Sequence, residues 1–124
     1  MLETTLCNII EILTVRENLN NYQVNQLKNQ VKQWKKDKII YPGMFKSKLN
    51  INISKAYDIL EFLKSQKILE RNYEVYCKEC HRFKGVIIRT PSEYKQVNMY
   101  CDFCNNELVP LDDSIVIYRV IVDG

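Results

Sequence analysis

The chain has 124 residues, of which 46% are hydrophobic and 27% charged, and its formal net charge is +3. These values are ordinary for a globular protein of one domain or two very small ones. No stretch approaches the roughly 20 apolar residues of a membrane helix, and the first residues do not have the pattern of a secretory signal. We therefore expect no membrane association and a cytoplasmic location, where thiols stay reduced.

The excess positive charge lies in the first part of the chain. Residues 1–70 contain 11 Lys and Arg against 7 Asp and Glu, whereas residues 71–124 contain 7 against 8. This asymmetry is mild compared with that of a dedicated nucleic-acid-binding protein. The charge distribution by itself therefore does not decide whether the chain binds nucleic acid.

The first predicted element is an amphipathic helix over residues 4–16, within an N-terminal segment that we place at residues 1–22. Its apolar residues are spaced by four, three and four positions, as on one helical stripe, and they are Leu2, Leu6, Ile9 and Leu13. This stripe either covers the core of the following domain or docks onto a partner or a second copy. The four residues are thus partner-binding candidates, and a homodimer is one reading.

A second domain is predicted over residues 23–76. It opens with a helix over 23–36 whose apolar face consists of Val24, Leu27, Val31 and Trp34. A short strand over 38–41 follows and is stopped by Pro42, and a short helix over 43–49 comes next.

A longer helix begins after a turn at 51–53, with Ser54 as its predicted N-cap. A strand over 72–76 follows it. The order of strand, short helix, turn, longer helix and strand resembles a winged helix-turn-helix. The apolar positions that carry this resemblance are Phe45, Leu49, Ile51, Ala56, Ile59, Leu60, Leu63, Ile68 and Leu69.

A winged helix commonly reads DNA with its second helix. Here the face of that helix opposite the apolar stripe centres on Asp58, Glu61 and Ser65, which fits a protein contact better than a phosphate-lined groove. These three residues are further partner-binding candidates. The lysines that remain as nucleic-acid-binding candidates, or as an ordinary solvated face, are Lys28, Lys32, Lys35, Lys36, Lys38, Lys46, Lys48 and Lys55.

The third region, residues 77–124, contains four cysteines in two pairs with the same internal spacing. They are Cys77, Cys80, Cys101 and Cys104, with twenty residues between the pairs. Two Cys-x-x-Cys turns on neighbouring hairpins can complete a tetrahedron around one zinc ion. Four thiolates leave no position for water or substrate, so the expected zinc is structural.

Strands are predicted over 84–90, 94–100 and 114–122, with a turn over 91–93. With the cysteine pairs, this pattern resembles a small three-stranded antiparallel zinc ribbon. Glycine often follows the second cysteine of each turn in such ribbons, where a left-handed backbone is convenient. His81 and Asn105 hold these positions here, and both residue types tolerate that conformation.

The four cysteines have alternative interpretations to a zinc site. Iron in a rubredoxin-like site is the main one, because four thiolates also suit iron; a redox-active pair or a disulfide framework explains the doubled motif less well. The only histidine, His81, reads as an exposed residue beside the site, since the sequence around it lacks the pattern of the zinc deaminases. Cys7 reads as a small buried hydrophobe.

The sequence therefore predicts an α+β protein with an N-terminal helix, a winged helix-turn-helix and a zinc ribbon. In layout it resembles the archaeal and eukaryotic TFE-type initiation factors and small accessory subunits of bacterial mobile-element and antiviral systems. The sequence shows no nucleophile–base pair, no phosphate-binding glycine loop and no open metal site. With the acidic face of the longer helix and the modest charge, this favours a non-catalytic assembly or adaptor subunit that binds a larger protein partner, with nucleic acid as a further ligand of the complex. The alternative is a DNA-binding transcriptional regulator.

Overall fold

The computed structural model describes residues 2–90, 99–108 and 112–124. Within these ranges the chain forms four helices and four strands, which confirms the α+β class. The helices are α1 (Glu3–Arg16), α2 (Asn21–Gln33), α3 (Pro42–Leu49) and α4 (Ile53–Ser65); the strands are β1 (Ile39–Ile40), β2 (Leu69–Cys77), β3 (Arg82–Ile88) and β4 (Ser114–Val120). None of the helices is long and apolar enough to cross a lipid bilayer.

The four strands form one antiparallel sheet in the order β1-β4-β2-β3. Ile39 of β1 lies opposite Arg119 of β4. In the pairing of β2 with β3, an irregularity shifts the register between Glu74 and Tyr76, which is the signature of a β-bulge. The predicted turn over 91–93 and most of the predicted strand over 94–100 lie outside the described residues.

The chain divides into two compact units. We call Met1–Glu70 with Tyr118–Gly124 the helical unit, and Arg71–Ile117 the cysteine unit. The helical unit thus contains α1 to α4 and β1. Strands β2 and β4 begin in one unit and end in the other.

Helix α1 packs its predicted stripe into the helical unit. Leu6, Ile9 and Leu13 are buried together with Ile10, whereas Leu2 is 76% exposed. The expectation that this stripe docks onto a partner is therefore wrong for Leu6, Ile9 and Leu13, because burying them within the chain removes more apolar area from water than leaving them exposed.

Helix α2 begins earlier and ends earlier than predicted. The Asn20 side chain accepts a hydrogen bond from the Gln23 backbone N–H (2.8 Å), and the Gln23 side chain accepts from the Asn20 N–H (3.0 Å). This reciprocal capping box fixes the first turn. The helix stops at Gln33 because Trp34 has an extended backbone. The face predicted for this helix is buried at Leu27, Val31 and Trp34, while Val24 is only partly buried.

Helices α3 and α4 are joined by a short turn in which Asn50 has a left-handed backbone (φ 55°). The predicted N-cap of α4, Ser54, is wrong. The side chain of Asn52 instead accepts a hydrogen bond from the Lys55 N–H (2.7 Å), so the helix begins at Ile53. The four apolar residues predicted to face the core are all fully buried: Ala56, Ile59, Leu60 and Leu63.

The described residues of the cysteine unit form a separate, smaller apolar cluster. Strands β2 and β3 form a hairpin, and the segment 99–108 packs against it. The buried apolar cluster consists of Val75, Cys77, Ile88, Met99, Cys101 and Leu108. Two of the four predicted metal ligands are therefore part of the core itself.

Candidate metal centre

The first cysteine pair lies at the end of the β2–β3 hairpin. Cys77 is the last residue of β2 and is paired with Arg82, the first residue of β3. Cys80 lies in the turn between them, and His81 returns the chain through a left-handed conformation (φ 58°). The turn therefore presents both sulfurs on the same side of the hairpin end.

The second pair lies on a turn of the same design. Asn105 has a left-handed backbone (φ 59°) and its N–H donates to the Cys101 carbonyl (2.9 Å). The Cys101 N–H in turn donates to the Asn106 carbonyl (2.8 Å), and Tyr100 forms an antiparallel bridge with Glu107. Both residues that replace glycine after the second cysteine thus take the left-handed conformation expected of them.

The two turns bring the four sulfurs together. All four Sγ atoms lie within 4.8 Å of one another. The Sγ atoms of Cys77 and Cys104 are 3.6 Å apart, and those of Cys80 and Cys101 are 3.4 Å apart. Zn–S bonds of about 2.3 Å at tetrahedral angles would place the sulfurs about 3.8 Å apart. The four residues therefore fit a tetrahedral ion of this size.

The site is buried on one side and open on the other. Cys77 and Cys101 are buried, Cys80 is partly buried and Cys104 is exposed. A metal ion held here would sit at the edge of the small core, joining the β2–β3 hairpin to the segment 99–108. When bound, such an ion would supply a crosslink between the two turns.

Backbone hydrogen bonds and burial determine which thiols are protonated. Hydrogen bonds from the backbone N–H groups of Cys104 and Phe103 lower the pKa of Cys101 to about 6. Desolvation and then the neighbouring thiols raise the pKa of Cys80 to about 12. The Asn106 N–H lowers the pKa of Cys104, but desolvation and neighbouring thiols outweigh it, so that pKa is raised. Metal binding must therefore displace protons from Cys80 and Cys104.

Two cations of β3 reach across to the second cysteine turn. The Lys84 Nζ donates to the Tyr100 carbonyl (2.8 Å) and to Asp102 Oδ1 (3.0 Å). The Arg82 guanidinium lies 4.4 Å from the centre of the Phe103 ring. Both contacts hold the turn that carries Cys101 and Cys104 against β3. Neither residue was predicted from the sequence, because neither is a ligand type and their partners are distant in sequence.

The single histidine is not part of the four-ligand group. The His81 Nδ1 lies 3.2 Å from the Tyr76 hydroxyl, and Tyr76 packs against Phe83 with ring centroids 4.9 Å apart. His81 is exposed. Its contacts tie the turn to the hairpin, as expected for a residue beside the site rather than in it.

The predicted partner-binding face of α4 differs from the expectation at Glu61, the residue at its centre. Glu61 accepts a hydrogen bond from the Tyr118 hydroxyl (2.7 Å) and forms an ion pair with Lys64 (3.5 Å). Asp58 is exposed, and so is Ser65, whose hydroxyl donates to the Phe62 carbonyl (2.6 Å). Glu61 is therefore partly buried and held by Tyr118 and Lys64, whereas Asp58 and Ser65 lie on an open surface.

The lysine candidates all lie in the helical unit, on α2, in the connection from α2 to β1, on α3 and at the start of α4. Lys32 is within 3.9 Å of Glu3. In the part of the chain that the structure describes, no ion pair involves the others, which are Lys28, Lys35, Lys36, Lys38, Lys46, Lys48 and Lys55.

Cys7 is partly buried and contributes to a groove of about 220 Å³ together with Val24 and Lys28.

Comparison with known protein families, with curated proteins and with solved structures finds no match to this chain. The interpretation of the metal centre therefore rests on the four sulfurs and their surroundings.

Proposed function

We propose that this chain is a zinc-binding, non-catalytic adaptor that joins a larger protein partner. The observation that carries the proposal is the convergence of four thiols within 4.8 Å. A tetrahedral ion held by four thiolates has no position for a water or a substrate, so its role is structural. The chemistry of the donor set favours zinc, and iron is the alternative ion for the same four sulfurs.

The remainder of the proposed architecture is a winged helix-turn-helix in the helical unit and a three-stranded zinc ribbon in the cysteine unit. Support for the former comes from the order α2, β1, α3, α4 and β2 and from the short turn at Asn50. Support for the latter comes from the two matching turns that end in His81 and Asn105. Both modules occur widely as binding domains, but fold alone does not define function.

Elemental analysis and affinity purification test the adaptor proposal. One zinc ion per purified chain is expected, and a partner should remain bound through purification from the source cells at both low and high salt. Recovery of the chain only as a free species would contradict the adaptor function. Iron in place of zinc would change the cofactor and leave the adaptor function standing.

The second candidate is a DNA-binding regulator, favoured by the lysines of α2, of the α2–β1 connection and of α3, of which only Lys32 has a carboxylate partner among the described residues. Asp58 on α4 opposes it, because a carboxylate near the phosphates reduces the attraction that dominates DNA affinity. This candidate predicts duplex binding that weakens steeply with salt. Charge reversal of Lys32, Lys35 and Lys36 should then abolish binding, and unchanged affinity would exclude this lysine surface as the contact.

A further inference from the structure

A groove lies between α2, β1 and α3 within the helical unit. Its volume is about 60 Å³. Pockets for small ligands typically have volumes of 300–1,000 Å³, so this groove is suited to one side chain rather than to a whole metabolite. Its lining residues are Gln30, Lys38, Ile39, Ile40, Tyr41, Met44, Phe45 and Lys48.

The floor of the groove is apolar. Phe45 is buried, and its ring lies 6.4 Å from that of Trp34, which fixes the floor to the core of the unit. Met44 is 61% exposed, although its neighbours Ile39 and Ile40 are largely covered. An exposed methionine beside an apolar groove is a surface that can adapt to an apolar side chain from another molecule.

The rim of the groove is positive. Lys38 and Lys48 lie on it, no acidic residue lines the groove, and no described carboxylate pairs with either lysine. Among the residues that the structure describes, the polar contact of the Lys48 Nζ is with the Gln30 side-chain carbonyl at 3.5 Å. Other lysines of the chain, such as Lys64 and Lys84, do have carboxylate partners. Lys38 and Lys48 at the groove therefore have no carboxylate partner among the described residues.

We infer that this groove binds an acidic segment of the partner protein, with one apolar side chain of that segment over Met44 and its carboxylates at Lys38 and Lys48. Charge complementarity identifies the occupant, because the rim is positive and the floor apolar. A nucleic-acid backbone would use the lysines but leave Met44 uncovered. The inference rests on the proposed function in one respect: the partner is a protein.

The first test is a titration of the ¹⁵N-labelled, zinc-loaded chain followed by NMR. The probe is a synthetic peptide with a central Leu-Phe pair flanked by glutamates, and the matched probe has lysines in place of the glutamates. The acidic peptide should shift the amide signals of Ile39, Ile40 and Met44, and the basic peptide should bind at least about tenfold more weakly. The absence of shifts at the groove, or shifts there from a DNA duplex and not from the acidic peptide, would overturn the inference.

Variants locate the contact. Lys48→Glu should lower the affinity for the acidic peptide about tenfold. Lys67→Glu changes the net charge equally but lies after α4, and it should leave that affinity within about twofold of the unmodified chain. Met44→Ala alters the apolar contact without any change of charge and should also weaken binding. Equal affinities for all three variants and the unmodified chain would place the peptide elsewhere.

The second test separates this inference from the proposed function. The unmodified chain, the Lys38→Glu/Lys48→Glu variant and the Lys67→Glu variant are each purified by affinity tag from the source cells. Loss of the partner from the double variant alone supports the groove. Retention of the partner by the double variant overturns the groove and leaves the adaptor function intact. Absence of a partner on the unmodified chain overturns both.

Discussion

The two compact units are stabilised in different ways. The helical unit buries a large set of aliphatic side chains from four helices, among them Leu13, Leu27 and Leu60, and caps α2 and α4 with Asn side chains. In the described part of the cysteine unit the buried apolar cluster has six residues, and Cys77 and Cys101 are two of them. We therefore expect hydrophobic burial to be sufficient for the first unit, and the second to need the crosslink that a metal ion at the four sulfurs would supply.

The largest expected effect is the response to metal removal. Chelation should unfold the cysteine unit and leave the helical unit folded, because zinc contributes about 10–16 kcal/mol to the folding of comparable small sites. Hydrogen exchange resolved by mass spectrometry should show lost protection over β3 and the segment 99–108 and retained protection over α2 and α4. The variant Cys104→Ser should behave like the chelated chain, and Cys7→Ser should keep its metal. If β3 remained protected from hydrogen exchange in the metal-free chain, the cysteine unit would not depend on metal for folding.

The next prediction concerns the core of the helical unit, where a large-to-small substitution leaves a cavity. Leu60→Ala should lower the free energy of unfolding of the helical unit by about 2–5 kcal/mol, because Leu60 is fully buried. Denaturant unfolding followed by far-ultraviolet circular dichroism measures this change. Val15→Ala is the control, since Val15 is 85% exposed. Zinc stoichiometry should be the same in both variants, and a loss of metal from Leu60→Ala would show that the units are not independent.

Acid should weaken the metal centre before it affects the helical unit. At pH 7 the thiols of Cys80 and Cys104, whose pKa values are raised, are protonated in the metal-free chain. Each must lose its proton on binding, so zinc affinity should fall by at least about hundredfold as pH decreases from 7 to 6. Below pH 6 the slope should steepen, because Cys101, with a pKa of about 6, then also binds a proton. Competition with a chromophoric chelator across this range measures the slope, and a flat profile would contradict this proton count.

A smaller effect is expected from the cation that holds the second cysteine turn. Lys84→Met should weaken zinc binding by about tenfold, because it removes the contacts to Tyr100 and Asp102. Lys78→Met is the matched control, since Lys78 is an exposed lysine between the ligands of the first turn. Chelator competition at constant pH compares the two variants. Equal losses would indicate that the general positive charge matters and not the position of Lys84.

The smallest effect is the loss of a helix cap in the helical unit. Asn52→Ala should destabilise that unit by about 1 kcal/mol, because the Asn52 side chain accepts the Lys55 N–H. Ser54→Ala should have almost no effect, although sequence reasoning selected Ser54 as the cap. Thermal unfolding of the two variants, side by side with the unmodified chain, distinguishes them. A larger loss from Ser54→Ala would show that the helix begins later in solution.

Local patterns predicted much of the fold. The spacing of Cys77, Cys80, Cys101 and Cys104 identified the sulfurs that converge, because two residues between cysteines suffice for a tight turn to aim both thiols at one point. The spacing of Ala56, Ile59, Leu60 and Leu63 identified the buried face of α4, because a helix of 3.6 residues per turn aligns those positions. Both predictions depend on interactions within a few residues of one another.

Predictions about surfaces succeeded less well. Leu6, Ile9 and Leu13 were candidates for a partner surface and are buried instead, since an apolar stripe looks the same whether it faces the chain's own core or another protein. Glu61 was expected to point outwards, yet it binds Tyr118, which lies far away in the sequence. A carboxylate on a helix gives no local sign of such a partner.

The sequence by itself determined the donor set of the metal centre and the apolar faces of the helices, because turn geometry and helical periodicity are local properties. Only the tertiary structure decided which lysines lack a carboxylate partner, that Lys84 and Arg82 reach the second cysteine turn, and that Lys38 and Lys48 flank an apolar groove. These features join residues from different elements. Their energies depend on distances and burial that no single stretch of sequence contains.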